Sequence, residues 1–224
     1  MPVDLFTDHT PDSAPPGARR SMEAVTQRLG YLPAPVGRLA EAPEVLDGFL
    51  RLSGLFEAST LDPLAREVVI MTIATRNACH VCVAMHTGKL TALDADGELI
   101  AALREQRTLP DERLDTVRTF TLAVMDDAGA VRDEMFDAFL ERGFTRRNAL
   151  EVVLGVGAYT LSTFANRMTR APLDERLAPF AWGGWSRAGG GDQARFVGGD
   201  DQLGAVAGAE FAHDAADVGL RGEG

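Results

Sequence analysis

The sequence predicts an all-α fold: a helical bundle with a Cys-x-x-Cys pair at the N-terminus of one helix. Three observations carry that prediction. From Gly17 to about Pro179 apolar residues recur at helical spacing, and no stretch alternates as a strand would. Start and stop signals divide this region into segments of helical length. The connections between segments are short, as in a compact bundle.

Residues 1–16, rich in Pro and acidic residues, predict an extended arm. "ARRSMEAVTQRLG" reads as a helix stopped by Gly30, with "YLPAP" following as a rigid connector. "PEVLDGFLRLSGLFEA" supplies Val45, Leu46, Phe49, Leu50 and Leu52 as the apolar positions of a second helix. "LDPLAREVVIMTIATRNA" opens with Asp62 as N-cap and Pro63 at the first helical position. Further helices are expected at 95–106, 111–127 and 132–142, and a last one from its N-cap Thr145 to about Arg170. One helical domain is thus expected over residues 17–187. Residues 188–224 differ: Gly makes up 10 of them, and 7 acidic residues face 2 basic ones. They read as a flexible tail, with a short helix in "LGAVAGAEFAHDAADV".

A net charge of −11 and a pI near 4.8 argue against binding nucleic acid or anionic lipid non-specifically. No signal peptide or membrane-spanning run is evident, so a cytoplasmic location is expected. Two cysteines are too few for a secreted disulfide framework.

"RNACHVCVAMHTG", residues 76–88, holds both cysteines and two of the four histidines. Redox chemistry, metal binding, a structural disulfide and an inert buried pair are the candidate explanations. On a helix, Cys79, Cys82 and His86 share one stripe, and the two cysteine Cα atoms lie ~5 Å apart, within disulfide reach. Asn77 is expected to cap a helix starting near residue 78, which places the thiols where unpaired N–H groups favour thiolate. Lowering a thiol pKa by ~2 units gains only roughly 3-fold in reactivity once the loss of nucleophilicity is counted. A useful enzyme therefore also needs a proton acceptor and a resolving thiol, and His86 and Cys79 fit. Glu67 joins if the chain reverses near Asn77, which sets it level with His86. On a continuous helix it would sit ~18 Å from Cys79. Zinc would need four ligands, and only His80 and Glu67 could add to Cys79, Cys82 and His86.

Glu67, eleven residues, then Cys79-x-x-Cys82-x-x-x-His86 resembles the alkylhydroperoxidase AhpD-like branch of the carboxymuconolactone decarboxylase superfamily. The similarity extends from "LGYLPAPVGRLAEAPEVLDGFL" through "FANRMTRAPLDERLAPFAW", roughly residues 25–182. The resemblance implies a homo-oligomer with thiol-dependent peroxidase or disulfide-reductase activity, no metal and no flavin. It also implies that Cys82 attacks peroxide, Cys79 resolves the sulfenic acid, Glu67 and His86 relay the proton, and an external dithiol reduces the pair. The substrate would be a peroxide or small disulfide. One departure stands out: the best-known members carry a second histidine just before the second cysteine, where this chain has Val81, with His80 one place earlier. On a helix that turns the imidazole by ~100°.

The competing expectations are a lyase with His86 as general base, or an oligomeric binding scaffold with idle cysteines. "AREVVIMTIAT" and "ALEVVLGVGAY" echo one another, pairing Glu67 with Glu151 and setting Thr163 and Asn166 where the cysteines would fall. "GVGAYT" lies mid-helix after no strand, and reads as close helix packing rather than a nucleotide loop. His9 and His213, in the expected tails, are given no role.

Overall fold

The computed structural model describes residues 5–183. The acidic tail, its expected helix and His213 lie outside those residues. Nine α-helices and a closing 3-10 segment are present among the described residues, and no strand is.

Helix α1 (Pro16–Leu29) ends at Gly30, whose φ of 74° supplies the left-handed stop. "YLPAP" is not only a connector: α2 (Ala34–Leu39) starts inside it, with Pro35 in the first turn, where a proline costs no hydrogen bond. Helix α3 (Pro43–Glu57) follows after a short turn. Residues 5–15 contain no helix and lie along α2. There Asp8 pairs with the buried Arg38 at 2.5 Å, and His9 Nε2 meets Glu41 at 2.8 Å.

Helix α4 (Pro63–Arg76) begins as its sequence predicts, with the Asp62 carboxylate accepting from the Ala65 amide. Ten of its 14 residues are buried, because it runs through the middle of the bundle. It packs against α5 (His80–Ala92), α7 (Glu112–Asp126) and α9 (Arg146–Met168). Val68, Val69, Ile70, Met71 and Ile73 are fully enclosed there with Phe56 of α3. Helices α6 (Gly97–Arg104) and α8 (Asp133–Glu141) close the flanks. A stack of Phe120, Phe139 and Phe144 seats α8 on α7, at centroid spacings of 4.2 and 4.5 Å. Helix α9 opens with a Thr145/Asn148 capping box and packs along α3 and α4. The 3-10 segment Glu175–Phe180 returns to α5. No helix among the described residues is long and apolar enough to cross a membrane.

Candidate functional site

The reversal between α4 and α5 is what builds the site. Ala78 takes a φ of 52°, the Cys79 amide donates to Ala74 O at 2.9 Å, and the Ala78 amide donates to Thr75 O at 3.1 Å. This pattern of two bonds across a left-handed residue ends a helix tightly. Asn77, expected to start the second helix, instead terminates the first, and Cys79 is the N-cap of α5. The expected reversal is present, but its pivot is an alanine in a conformation that favours glycine. The Asn77 side chain is thereby freed to reach α9, donating to Thr163 Oγ1 at 2.9 Å.

The sulfurs of Cys79 and Cys82 lie 3.0 Å apart, hydrogen-bonded and not joined as a disulfide. Both residues are buried. The hydrogen bond from Cys82 lowers the Cys79 pKa to about 7, against the push of burial; the amides of Cys82 and Val81 and the Asn166 side chain act the same way. The Cys82 thiol is pushed well up by its bond to Cys79 and by burial. Loss of one proton therefore makes loss of the second harder, and the pair shares a single proton near neutral pH.

Glu67 and His86 come together as the reversal requires: Oε2 meets Nδ1 at 2.6 Å, with both side chains buried. Burial by itself raises the Glu67 pKa. His86 and Lys89 more than reverse this, so the carboxyl titrates below its ordinary value. Lys89 Nζ contacts Glu67 Oε1 at 3.0 Å and Glu57 Oε1 at 2.6 Å. Tyr159 of α9 packs its ring edge-on to His86, at a centroid distance of 5.5 Å. The last link of the expected relay is not made: no hydrogen bond joins His86 to either sulfur among the described residues. The imidazole is fixed by Glu67 through Nδ1, which leaves Nε2 for a bound molecule or water.

Three residues of this site escaped the sequence reading. Asn166 Nδ2 lies 3.3 Å from Cys82 Sγ, and Ser162 Oγ lies 3.9 Å from it, both from α9. Lys89 was the legible one, since it falls three residues after His86 on the same stripe. The α9 residues gave no local signal. His80 is exposed while Val81 is buried, so the displaced histidine faces away from the thiols. Glu151, the echo of Glu67, is held by Thr60, Asn148 and Arg147, tying α9 to the α3–α4 turn. Gly155 of "GVGAYT" serves close packing: a Cβ there would stand 2.7 Å from the Phe56 ring. Among the described residues no group of three or more His, Cys, Asp or Glu is set to hold a metal ion. A groove of about 1200 Å³ runs beside the reversal, lined by Asn77, Ala78, Val153, Gly157, Phe164 and Trp182 among others.

Residues 43–113 match the carboxymuconolactone decarboxylase family, a span that includes Glu67, Cys79, Cys82 and His86. No curated protein matches the chain in sequence. Several solved structures share the fold. The alkylhydroperoxidase AhpD core of an uncharacterized peroxidase-related protein from Ralstonia eutropha JMP134 superposes with a TM-score of 0.67 at 18% identity, over 79% of this chain and 95% of that one. A peroxidase-related protein from Silicibacter sp. TM1040 gives 0.64 at 18% identity, over 77% and 92%. A debrominase, solved in complex with 2,3,4-tribromopyrrole, gives 0.61 at 17% identity, over 79% and 95%.

Proposed function

We propose that the chain is an AhpD-like member of the carboxymuconolactone decarboxylase superfamily, and that it is a thiol-dependent oxidoreductase reducing peroxides or small disulfides through Cys79 and Cys82. The observation that carries this reading is the pair of free sulfurs 3.0 Å apart at a helix start, with a buried Glu67–His86 pair beside them. A Cys82 thiolate, formed when its proton passes to the Cys79 sulfur 3.0 Å away, attacks the terminal oxygen of ROOH, forming Cys82–SOH and releasing RO⁻, which takes a proton to become ROH. Cys79 then attacks the Cys82 sulfur, forming the disulfide and releasing water. An external dithiol returns the two electrons and two protons. With a disulfide substrate the same thiolate forms a mixed disulfide, which Cys79 resolves.

His86, oriented by Glu67, supplies the leaving alkoxide with its proton through Nε2. Cys82 keeps 5% of its surface accessible against 1% for Cys79, which favours it as the sulfur that meets substrate. The debrominase shares the fold, so hydroperoxide, disulfide and bromopyrrole substrates belong in the same assay panel. Leu150, Val153, Phe164 and Met168 form an exposed apolar stripe on α9, which supports assembly as a homo-oligomer. The test of the reading is dithiol-supported peroxide turnover: C79S and C82S each abolish it, and C79S accumulates a sulfenic acid that dimedone traps. Wild-type turnover in both variants overturns the reading.

A further inference from the structure

The Glu67, Cys79, Cys82 and His86 motif lies on α4 and α5 and at their junction, yet α9 also touches the sulfurs. Asn166 is 4% exposed, and its Nδ2 stands 3.3 Å from Cys82 Sγ, 3.4 Å from Ser162 Oγ and 3.9 Å from Cys79 Sγ. Ser162, also buried, brings its Oγ to 3.9 Å from Cys82 Sγ. The Asn166 Oδ1 is buried with no hydrogen-bond partner.

That arrangement is a poor one for packing alone. A buried carbonyl without a donor is destabilising, and an apolar side chain of similar size would avoid the loss. Nor does a neutral thiol repay it, because its sulfur is a weak acceptor. A thiolate is different: hydrogen bonds to charged groups are about twice as strong as those between neutral ones. The amide is thus oriented as a charged sulfur would require. Its distances also discriminate between the two sulfurs, with Cys82 nearer by 0.6 Å (3.9 against 3.3 Å). The start of α5 works in the other direction, because Cys79 occupies the N-cap beside the unpaired amides of that helix.

We propose that Asn166 is a further catalytic residue, whose Nδ2, helped by Ser162 Oγ, holds negative charge on Cys82 Sγ and so makes the second cysteine the attacking and leaving sulfur. Its catalytic role rests on the thiol-redox reading, whereas the charge preference it predicts can be measured without any substrate. The other titratable groups around Cys82 are Cys79 at the same helix start, His86 one turn on and Tyr159 from α9.

Single-thiol variants separate the two sulfurs: C79S leaves Cys82 alone, and C82S leaves Cys79 alone. Thiolate absorbance is titrated in each, with and without N166A. In the C79S background, N166A lowers the Cys82 thiolate fraction at a fixed pH below the midpoint by roughly tenfold, the low end of what a hydrogen bond to a charged group gives. In the C82S background the change for Cys79 stays within about twofold, since its contact is the longer one. N166D keeps the volume but replaces the donor with a carboxylate, so it moves Cys82 further in the same direction and stands in if N166A does not fold. S162A gives a smaller shift of the same sign. If Cys82 does not move, or if Cys79 moves equally, Asn166 is packing and the proposal falls. A wild-type protein inert to peroxide, yet showing this selective shift, would remove the enzymatic reading while leaving the charge assignment in place.

Discussion

Lys89 Nζ and Glu67 Oε1 stand 3.0 Å apart, and the same ammonium reaches Glu57 Oε1 at 2.6 Å, so one cation ties two carboxylates together behind the imidazole. Glu67 is buried, and Lys89 and Glu57 are largely enclosed. Removing the cation leaves Glu67 with His86 alone, and Glu57 with Arg66 at 3.7 Å. K89M is therefore expected to destabilise the protein by about 2–4 kcal/mol, somewhat less than the roughly 3–5 kcal/mol for a fully buried pair deprived of one partner, because the Lys89 side chain is partly exposed. Urea unfolding measures it. R142A removes only an exposed pair with Glu112 and serves as the reference, with little change expected. Equal midpoints for K89M and R142A would show that Lys89 is not needed to hold the carboxylates.

The same carboxylate sets a pH dependence. The folded Glu67 pKa lies below its ordinary value of 4.5, so the folded state binds this proton more weakly than the unfolded chain does. Its contribution is present above about pH 4.5 and is lost as pH falls through the folded value. E67Q should thus lower stability at neutral pH and flatten the slope of unfolding free energy below about pH 4.5. Glu151, whose pKa is also lowered, retains its own share of that slope. Parallel acid limbs for wild type and E67Q would contradict the assignment.

For His86 the geometry separates rate from ionisation. Its Nδ1 is committed to Glu67 at 2.6 Å, and it bonds neither sulfur. H86N should leave the first thiol midpoint, about 7 at Cys79, close to where it is. Peroxide-driven oxidation of the pair should nevertheless slow by about 100-fold, the low end for a lost general acid. Stopped-flow oxidation beside a thiolate titration checks both halves. A large shift in midpoint with an unchanged rate would mean that the imidazole acts on the resting thiols and not on the leaving oxygen.

Much of this was legible because it is local. Asp62 and Pro63 announce α4, Thr145 announces α9, and the spacing of Glu67, Cys79, Cys82 and His86 needs only one reversal to close. What was missed depends on contacts between distant segments. Asn166 reaches its sulfur across 84 residues of chain; the internal echo sets it at the place of the second cysteine, but nothing local in the sequence brings it to Cys82 itself. The N-cap of α5 falls two residues later than expected, at Cys79 rather than Asn77, because Asn is the better cap and Ala rarely takes positive φ; tertiary packing put the pivot at Ala78 regardless. His9, expected in a tail without a role, instead packs on α2, where its carbonyl oxygen would lie 2.9 Å from a Cβ on Gly37.

Two glycines one turn apart at most test how α9 is seated. At Gly155 a Cβ would stand 2.7 and 2.9 Å from Phe56 ring carbons and 3.0 Å from Val69 Cγ1, whereas nothing lies within 4 Å of one at Gly157. Both sit inside the same helix at ordinary helical φ, so alanine gains the same propensity at each, roughly 0.5–1 kcal/mol. At Gly155 that gain is outweighed, because Phe56 is fully buried and has no free space to move into. G155A should be destabilising by about 1–3 kcal/mol. It also pushes α9 off α3 and α4, carrying Asn166 away from Cys82, so the Cys82 thiolate becomes harder to form in the C79S background. G157A should be stabilising and leave the thiol titration unchanged. Thermal unfolding of the two variants, read beside the Cys82 midpoint, decides the matter: equal behaviour at both positions would mean that the close approach of α9 to Phe56 does not set the sulfur environment.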